Sequence, residues 1–151
     1  MTRSEDWSAA LQQVKDQLGS EGLWGIVNNA GWATFGEVEW VAMDTFRKAV
    51  EVNVHGVLAG VKTFLPLIRA GRGRVVTITS GLGRMAVPTR SPYVGTKYAL
   101  EGALDCLRSA SQSCYIKYWT ISYYLMFRYE MKPFGVSVSI LEPGNFIAGK
   151  W

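Results

Sequence analysis

Short apolar runs alternate with long helical stripes along this chain, and this alternation limits the possible folds more than any other sequence feature. The runs at 23–27, 74–79 and 136–141 are short and apolar, and the second is rich in β-branched residues, so they predict strands. Between them, apolar residues recur at helical spacing and predict helices over 7–18, 44–68 and 91–107. Such alternation is typical of an α/β protein with parallel strands.

The expected architecture is a doubly wound, three-layer α/β/α sheet that forms a single domain over residues 1–151. Pro66 lies near the end of the second helix and is expected to kink it or end it early. Ser91 and Pro92 predict the start of the third helix, because serine caps a helix and proline suits its first position.

Small or polar residues follow each predicted strand. These segments are 28–31 (Asn-Asn-Ala-Gly), 80–81 (Ser-Gly) and 143–144 (Pro-Gly). In doubly wound sheets, ligands bind beyond the carboxyl ends of the strands. The sequence therefore predicts a ligand crevice at this edge of the sheet.

Tyr93 and Lys97 are separated by one helical turn, so their side chains are expected to share a face of the third helix. A nearby ammonium favours the phenolate form of tyrosine, which can then exchange a proton as a general acid or base. Ser80 lies thirteen residues before Tyr93 at a strand end, where its hydroxyl can bond a substrate oxygen. A Tyr-x-x-x-Lys spacing alone also occurs by chance, so the pair gains meaning only with Ser80.

Two other polar residues each have two interpretations. Asn53 lies within an apolar helical stripe, either as a buried amide in a capped or bulged turn or as a group that orders water beside Lys97. Arg84 could clamp a substrate carboxylate, since arginine suits planar carboxylates, or it could be structural or solvated.

Several function classes are disfavoured by composition. The net charge of +4 is mild and the arginines are scattered, so a nucleic-acid partner is not expected. Cys106 and Cys114 are too few for a disulfide framework and suit a reducing compartment. The single histidine, His55, has no Cys or His cluster near it in sequence, so no metal is expected. A secretory signal and a membrane-spanning run are also not expected.

The segment 28–31, Asn53, Ser80, Tyr93-x-x-x-Lys97 and the 143–144 turn occur in the order and approximate spacing of the short-chain dehydrogenase/reductase superfamily. The chain resembles this superfamily over 7–108 and 128–149. The resemblance implies a Rossmann-like domain that transfers a hydride between NAD and a secondary alcohol or ketone.

The resemblance also implies a role for each matching residue. Tyr93 exchanges the substrate proton, Ser80 orients the substrate oxygen, and Lys97 assists Tyr93. Asn53 is implied to hold a water that links Lys97 to solvent. The implied cofactor-binding residues are Asn28, Ala30, Gly31, Tyr93, Lys97, Pro143 and Gly144.

Shorter stretches at 22–31, 83–86, 90–93 and 142–148 resemble the branch that contains retinol, steroid and mitochondrial 3-hydroxybutyrate dehydrogenases. This resemblance implies 3-hydroxybutyrate and acetoacetate as the substrate pair. It also implies a homo-oligomer and a mitochondrial location, where the sequence alone would suggest the cytoplasm.

The sequence departs from the family pattern in three ways. The glycine-rich turn of the first βαβ unit is absent, the last strand is also absent, and residues 109–128 form an apparent insertion within a helix. The insertion is rich in aromatic residues, which allows a weak lipid association. These departures leave a second interpretation open, in which the chain is a catalytically impaired fragment or isoform that acts only through subunit pairing.

Overall fold

The computed structural model describes residues 3–108 and 131–144. Three strands pair in parallel in the order β1-β2-β3, which confirms the predicted parallel sheet. In their register, Gly25 pairs with Arg74, and Arg74 pairs with Ser137. Each strand begins and ends within two residues of its predicted bounds. The strands are β1 (Gly25–Asn28), β2 (Arg74–Ile78) and β3 (Ser137–Leu141).

Four α-helices connect and cover these strands. The predicted long helix is present, but a π-helical turn, Glu51–His55, divides it at Asn53. Pro66 does not end this helix early, because burial of Phe64 and Ile68 against the core holds the turns on both sides of the proline. The helices are α1 (Ser4–Leu18), α2 (Met43–Val50), α3 (Gly56–Ala70) and α4 (Ser91–Arg108), with short 3₁₀ turns at Gly81–Gly83 and Lys132–Phe134.

The core lies on one face of the sheet. Val75 and Val138 point into a cluster with Ile68 of α3, and α1 packs on the outside of this cluster through Trp7. Ile140, on the same face of β3, packs in a second cluster with α4. Burial of these apolar side chains provides the main stabilisation of the fold. The three longest helices, α1, α3 and α4, lie on this same face of the sheet.

The opposite face of the sheet is largely uncovered by the described residues. Successive side chains of a strand point to opposite faces, so Val27 and Leu141 point away from the helices. They are 64% and 51% exposed. Residues 3–108 and 131–144 thus contain one of the two helical layers of the predicted three-layer architecture. The predicted insertion at 109–128 lies outside the described residues.

Hydrogen bonds join the segments that follow β2 and β3, at the edge of the sheet where the sequence predicts a ligand crevice. The backbone N–H of Gly81 donates to the carbonyl oxygen of Pro143 over 2.9 Å, and the N–H of Thr79 donates to Leu141 over 2.8 Å. These bonds continue the β2–β3 ladder past the last paired residues, so the loops that follow both strands have fixed relative positions. No helix within the described ranges is long and apolar enough to cross a membrane.

Candidate active site

A cleft of about 620 Å³ opens at the carboxyl ends of the three strands. Its walls come from the loops after β1, β2 and β3 and from the first turns of α4. This is the edge at which the sequence predicts a ligand crevice. Six of the predicted site residues line it: Gly31, Ser80, Tyr93, Lys97, Pro143 and Gly144.

Tyr93 and Lys97 lie side by side on α4. The Nζ atom of Lys97 is 5.5 Å from the centroid of the Tyr93 ring, so the structure brings the pair together as the spacing predicts. Pro92 occupies the first turn of α4 and is buried, which places Tyr93 at the start of the helix beside the cleft. The ammonium group of Lys97 therefore lies beside the tyrosine ring at the cleft.

Lys97 is almost entirely buried, with 3% of its surface exposed. Its Nζ atom donates to the carbonyl oxygen of Ile78 over 3.3 Å. Burial lowers the pKa of Lys97 from its ordinary value, because desolvation penalises the ammonium, and the carboxylate of Glu101 opposes this by favouring the charged form. The balance between these two effects sets the charge beside Tyr93.

Ser80 caps the 3₁₀ turn that follows β2. Its Oγ atom accepts a hydrogen bond from the backbone N–H of Leu82 over 3.1 Å. Because the oxygen is the acceptor in this bond, its hydrogen can still be donated to a group in the cleft. The strand end and the capped turn therefore orient the hydroxyl without using its donor.

Asn53 is fully buried, and its amide joins three elements. Its Oδ1 atom accepts from the backbone N–H of Trp32 over 2.7 Å, and its Nδ2 atom donates to the Trp32 carbonyl oxygen over 2.9 Å. Nδ2 also donates to Thr96 Oγ1 over 2.9 Å, and Thr96 in turn donates to the Tyr93 carbonyl oxygen. The interpretation of Asn53 as a buried amide in a bulged turn therefore agrees with the structure.

Gly31 leaves space between Asn53 and Lys97. A Cβ atom on Gly31 would lie 3.6 Å from Asn53 Oδ1 and 3.7 Å from Lys97 Nζ, so both polar atoms border the same small space. An ammonium has three N–H donors, and the contact with Ile78 uses one of them. The remaining donors can bind hydroxyl groups such as those of a ribose, and the absence of a side chain on residue 31 gives them room.

Two predicted cofactor-binding residues lie outside the cleft lining. Asn28 is buried, and its Nδ2 atom donates to Thr77 Oγ1 over 3.2 Å, which joins β1 to β2. Asn28 and Ala30 border a separate, very small cavity beside Trp7. In this structure Asn28 braces the sheet, and Asn29 and Gly31 provide the part of this loop that faces the cleft.

Arg84 is bound to carboxylates of the protein itself. Its guanidinium lies 2.9 Å from Glu101 and 3.0 Å from Glu142, with Asp105 at 3.6 Å. Hydrogen bonding to Glu142, with added attraction to Glu101, raises the pKa of Arg84 although partial burial opposes the shift. Of the two interpretations of Arg84, the structural one agrees with these contacts.

The arginine that lines the cleft is Arg90, to which the sequence analysis gave no role. Its guanidinium stacks 4.1 Å over the ring of Phe35, another cleft residue. Among the contacts of the described residues it has no carboxylate partner. The sequence feature that could have identified Arg90 is its position three residues before Tyr93, in the Arg90-Ser-Pro-Tyr93 stretch.

The described ranges hold no group of three or more His, Cys, Asp or Glu residues placed to bind a metal ion. His55 instead pairs with Glu51 on the exposed side of the π turn, with 2.7 Å between Nδ1 and Oε2.

The model of the short chain dehydrogenase family matches residues 1–126. Mitochondrial D-beta-hydroxybutyrate dehydrogenase of Rattus norvegicus is 47% identical over 147 residues, which cover 96% of this chain and 37% of that protein. Retinol dehydrogenase 7 of Mus musculus is 38% identical, over 97% of this chain and 40% of that protein. A solved short-chain dehydrogenase from Streptomyces avermitilis is 29% identical, with a TM-score of 0.77, over 96% of this chain and 46% of that one. The chain thus spans 37–40% of the length of these curated relatives.

Proposed function

Since the chain belongs to the short chain dehydrogenase family, we propose that its cleft serves hydride transfer between a nicotinamide cofactor and a secondary alcohol or ketone. The observation that supports this most directly is the convergence of Ser80, Tyr93 and Lys97 on one cleft. The finer proposal is that the cofactor is NAD and that the substrate pair is 3-hydroxybutyrate and acetoacetate. The likeness to the mitochondrial D-beta-hydroxybutyrate dehydrogenase of Rattus norvegicus supports this substrate pair.

Tyr93 performs the proton transfer in this proposal. In the oxidative direction its phenolate takes the proton from the substrate hydroxyl, and in the reductive direction its phenol returns a proton to the carbonyl oxygen. Lys97 places a positive charge beside Tyr93, and Ser80 donates a hydrogen bond to the same substrate oxygen. When bound, the nicotinamide ring supplies or accepts the hydride.

The residues around Lys97 fit the cofactor. The free donors of the ammonium suit the hydroxyl groups of the nicotinamide ribose, and Gly31 leaves space beside them. Pro143 and Gly144 border the same cleft from the end of β3 and would lie against the nicotinamide. Asn53 has the further role of ordering a water beside Lys97, which its position next to the space at Gly31 supports.

Arg90 is the proposed partner of the substrate carboxylate. Its guanidinium borders the cleft, is held by stacking on Phe35, and has no acidic partner among the described contacts. A planar guanidinium binds a carboxylate through two parallel hydrogen bonds. This arrangement favours a hydroxy acid over an uncharged alcohol as the substrate.

The proposal extends to a mitochondrial location and a homo-oligomeric state. The mitochondrial relative supports the location. Cell fractionation that finds the protein outside mitochondria would contradict the location, and sedimentation as a monomer would contradict the oligomer. The alternative remains a catalytically impaired fragment or isoform that pairs with other subunits.

Fluorescence titration with NADH separates the two possibilities. Micromolar binding by the full chain supports the oxidoreductase, and no binding at millimolar NADH supports the impaired chain. For turnover of 3-hydroxybutyrate, Tyr93→Phe should lose activity by at least about 100-fold, the usual scale of general acid–base catalysis. Tyr98→Phe is the matched control, since Tyr98 lies on the same helix and is 44% exposed.

Turnover of two substrates tests Arg90. Arg90→Gln should raise KM for 3-hydroxybutyrate by about tenfold or more, because it removes a charge-assisted bond, and should leave KM for an uncharged secondary alcohol unchanged. An equal effect on both substrates would show that Arg90 does not recognise the carboxylate.

A further inference from the structure

We propose that Glu101 and Arg84 act as positioning residues for Lys97. The buried carboxylate of Glu101 stabilises the charged form of the Lys97 side chain, and Arg84 partly offsets the negative charge of that carboxylate. The catalytic meaning of this pair rests on the proposed function, but its geometry and its test do not. The pair also joins three of the segments that carry predicted site residues. Neither residue lines the cleft, so both act through other groups.

Glu101 lies one helical turn after Lys97 on α4, and the two residues are 2% and 3% exposed. Two opposite charges are therefore buried on the same face of one helix. They form no direct ion pair among the described contacts, because the carboxylate turns toward Arg84. Its influence on the ammonium is exerted through space, and it favours the charged form that burial disfavours.

Both oxygens of Glu101 lack a directional hydrogen bond among the described residues, although Oε2 lies 2.9 Å from Arg84 Nη2. The close approach compensates the charge, but its geometry is too poor to count as a hydrogen bond. Because Glu101 and Lys97 are both shielded from water, the carboxylate can still act on the ammonium across one helical turn although Arg84 lies beside it.

Gly83 fixes the distance between the 3₁₀ turn and α4. A Cβ atom on Gly83 would lie 2.9 Å from Glu101 Cγ and 3.3 Å from the carbonyl oxygen of Lys97. The turn that is capped by Ser80 can pack against this stretch of α4 only because residue 83 has no side chain. Packing at Gly83 and the charge contact at Arg84 hold the same two elements together.

Arg84 extends the connection to β3. Its Nε atom donates to Glu142 Oε1 over 3.0 Å, and Glu142 immediately precedes Pro143 at the cleft. Through one side chain, the loop after β2, the loop after β3 and the Lys97 turn of α4 are therefore linked. Loss of Arg84 should affect the relative positions of Ser80 and Pro143 as well as the charge at Lys97.

Other titratable and charged groups surround this pair in the described part of the chain, among them Glu142, which binds Arg84. Tyr93 lies on α4 itself, Arg90 borders the same cleft, and Asp105 lies one turn after Glu101. The charged groups on the other elements that pack against α4 are at least partly exposed and therefore better screened by water. They are Asp44, Arg47 and Lys48 of α2 and Glu51 and His55 of the π turn.

The test is a pH titration of Lys97 in the full chain, followed by NMR of ¹³C-labelled lysine and assigned with Lys97→Arg. Glu101→Gln should move the Lys97 midpoint to lower pH, because the favourable charge is lost. Arg84→Gln should move it to higher pH, because the carboxylate is no longer moderated. Arg84→Lys retains the charge and should stay close to the parent. Glu51→Gln is the matched control, since it removes a partly exposed carboxylate.

Opposite shifts for Glu101→Gln and Arg84→Gln support the proposal. A purely structural role predicts shifts in one direction or none, and either result overturns it. If Glu101→Gln does not fold, Arg84→Gln and Arg84→Lys decide the question, and equal midpoints for these two variants overturn the proposal. Opposite shifts in a chain that neither binds NADH nor oxidises 3-hydroxybutyrate would refute the proposed function and leave the positioning pair intact.

Discussion

Replacement of Asn53 by alanine should destabilise the protein strongly, because the Asn53 side chain is completely buried and both polar atoms of its amide are hydrogen-bonded. It removes the partners of the Trp32 N–H and carbonyl groups and of Thr96 Oγ1. Leaving a buried polar group without a partner costs about 1–3 kcal/mol, and Trp32 is only half-buried, so the sum is roughly 2–4 kcal/mol. Asn53→Asp has nearly the same volume but replaces the donating nitrogen with an acceptor, and should be destabilised by a similar amount.

Urea unfolding of the full chain, followed by circular dichroism, measures this effect. With a slope of about 2 kcal/mol per molar urea, the expected loss lowers the midpoint by about 1–2 M. Gln17→Ala is the control, since it truncates an exposed amide on α1 and should change stability by less than about 0.5 kcal/mol. If Asn53→Ala lowered the midpoint no more than Gln17→Ala does, the amide network would not stabilise the fold, and the reasoning would be wrong.

Three further perturbations test the packing and charge of the site. Gly83→Ala should cost about 1–3 kcal/mol by overpacking against Glu101, and Gly102→Ala, which has open space around it, should be neutral or stabilising in the same urea assay. Burial lowers the pKa of Lys97, so the unfolded chain binds more protons than the folded chain between the folded and ordinary pKa values, and stability rises with pH across that window. Lys97→Met removes this pH dependence. The gain in its urea midpoint over the parent should therefore be largest at the low-pH end of the window, and a difference that stays constant with pH would contradict this. Gly31→Ala makes only ordinary contacts with Asn53 and Lys97, so it should fold normally. Its methyl group would fill the space proposed for the ribose, so fluorescence titration should show weaker NADH binding.

Local patterns were sufficient for the strands, for most of the helical residues and for the central pair of the site, but not for the π turn at Glu51–His55. The three strands and the helix at Ser91–Arg108 lie close to their predicted bounds, because hydrophobic periodicity directly reflects which face of an element is buried. Tyr93 and Lys97 lie together because residues four apart on a helix must share a face. The effect of Pro66 was only partly predictable, since burial on both sides of a proline can outweigh the hydrogen bond that it removes.

The sequence by itself determined the alternation of strands and helices, the strand-end location of Ser80 and the pairing of Tyr93 with Lys97, since each depends on residues close together in the chain. Only the tertiary structure decided which arginine lies at the cleft and which is occupied by Glu101 and Glu142. Glu142 is 58 residues from Arg84, and the partner of Asn53 in the loop after β1 is 21 residues away. Long polar side chains can reach many partners, and folding alone selects among them, because no local pattern records which distant carboxylate or backbone group will lie within hydrogen-bonding distance.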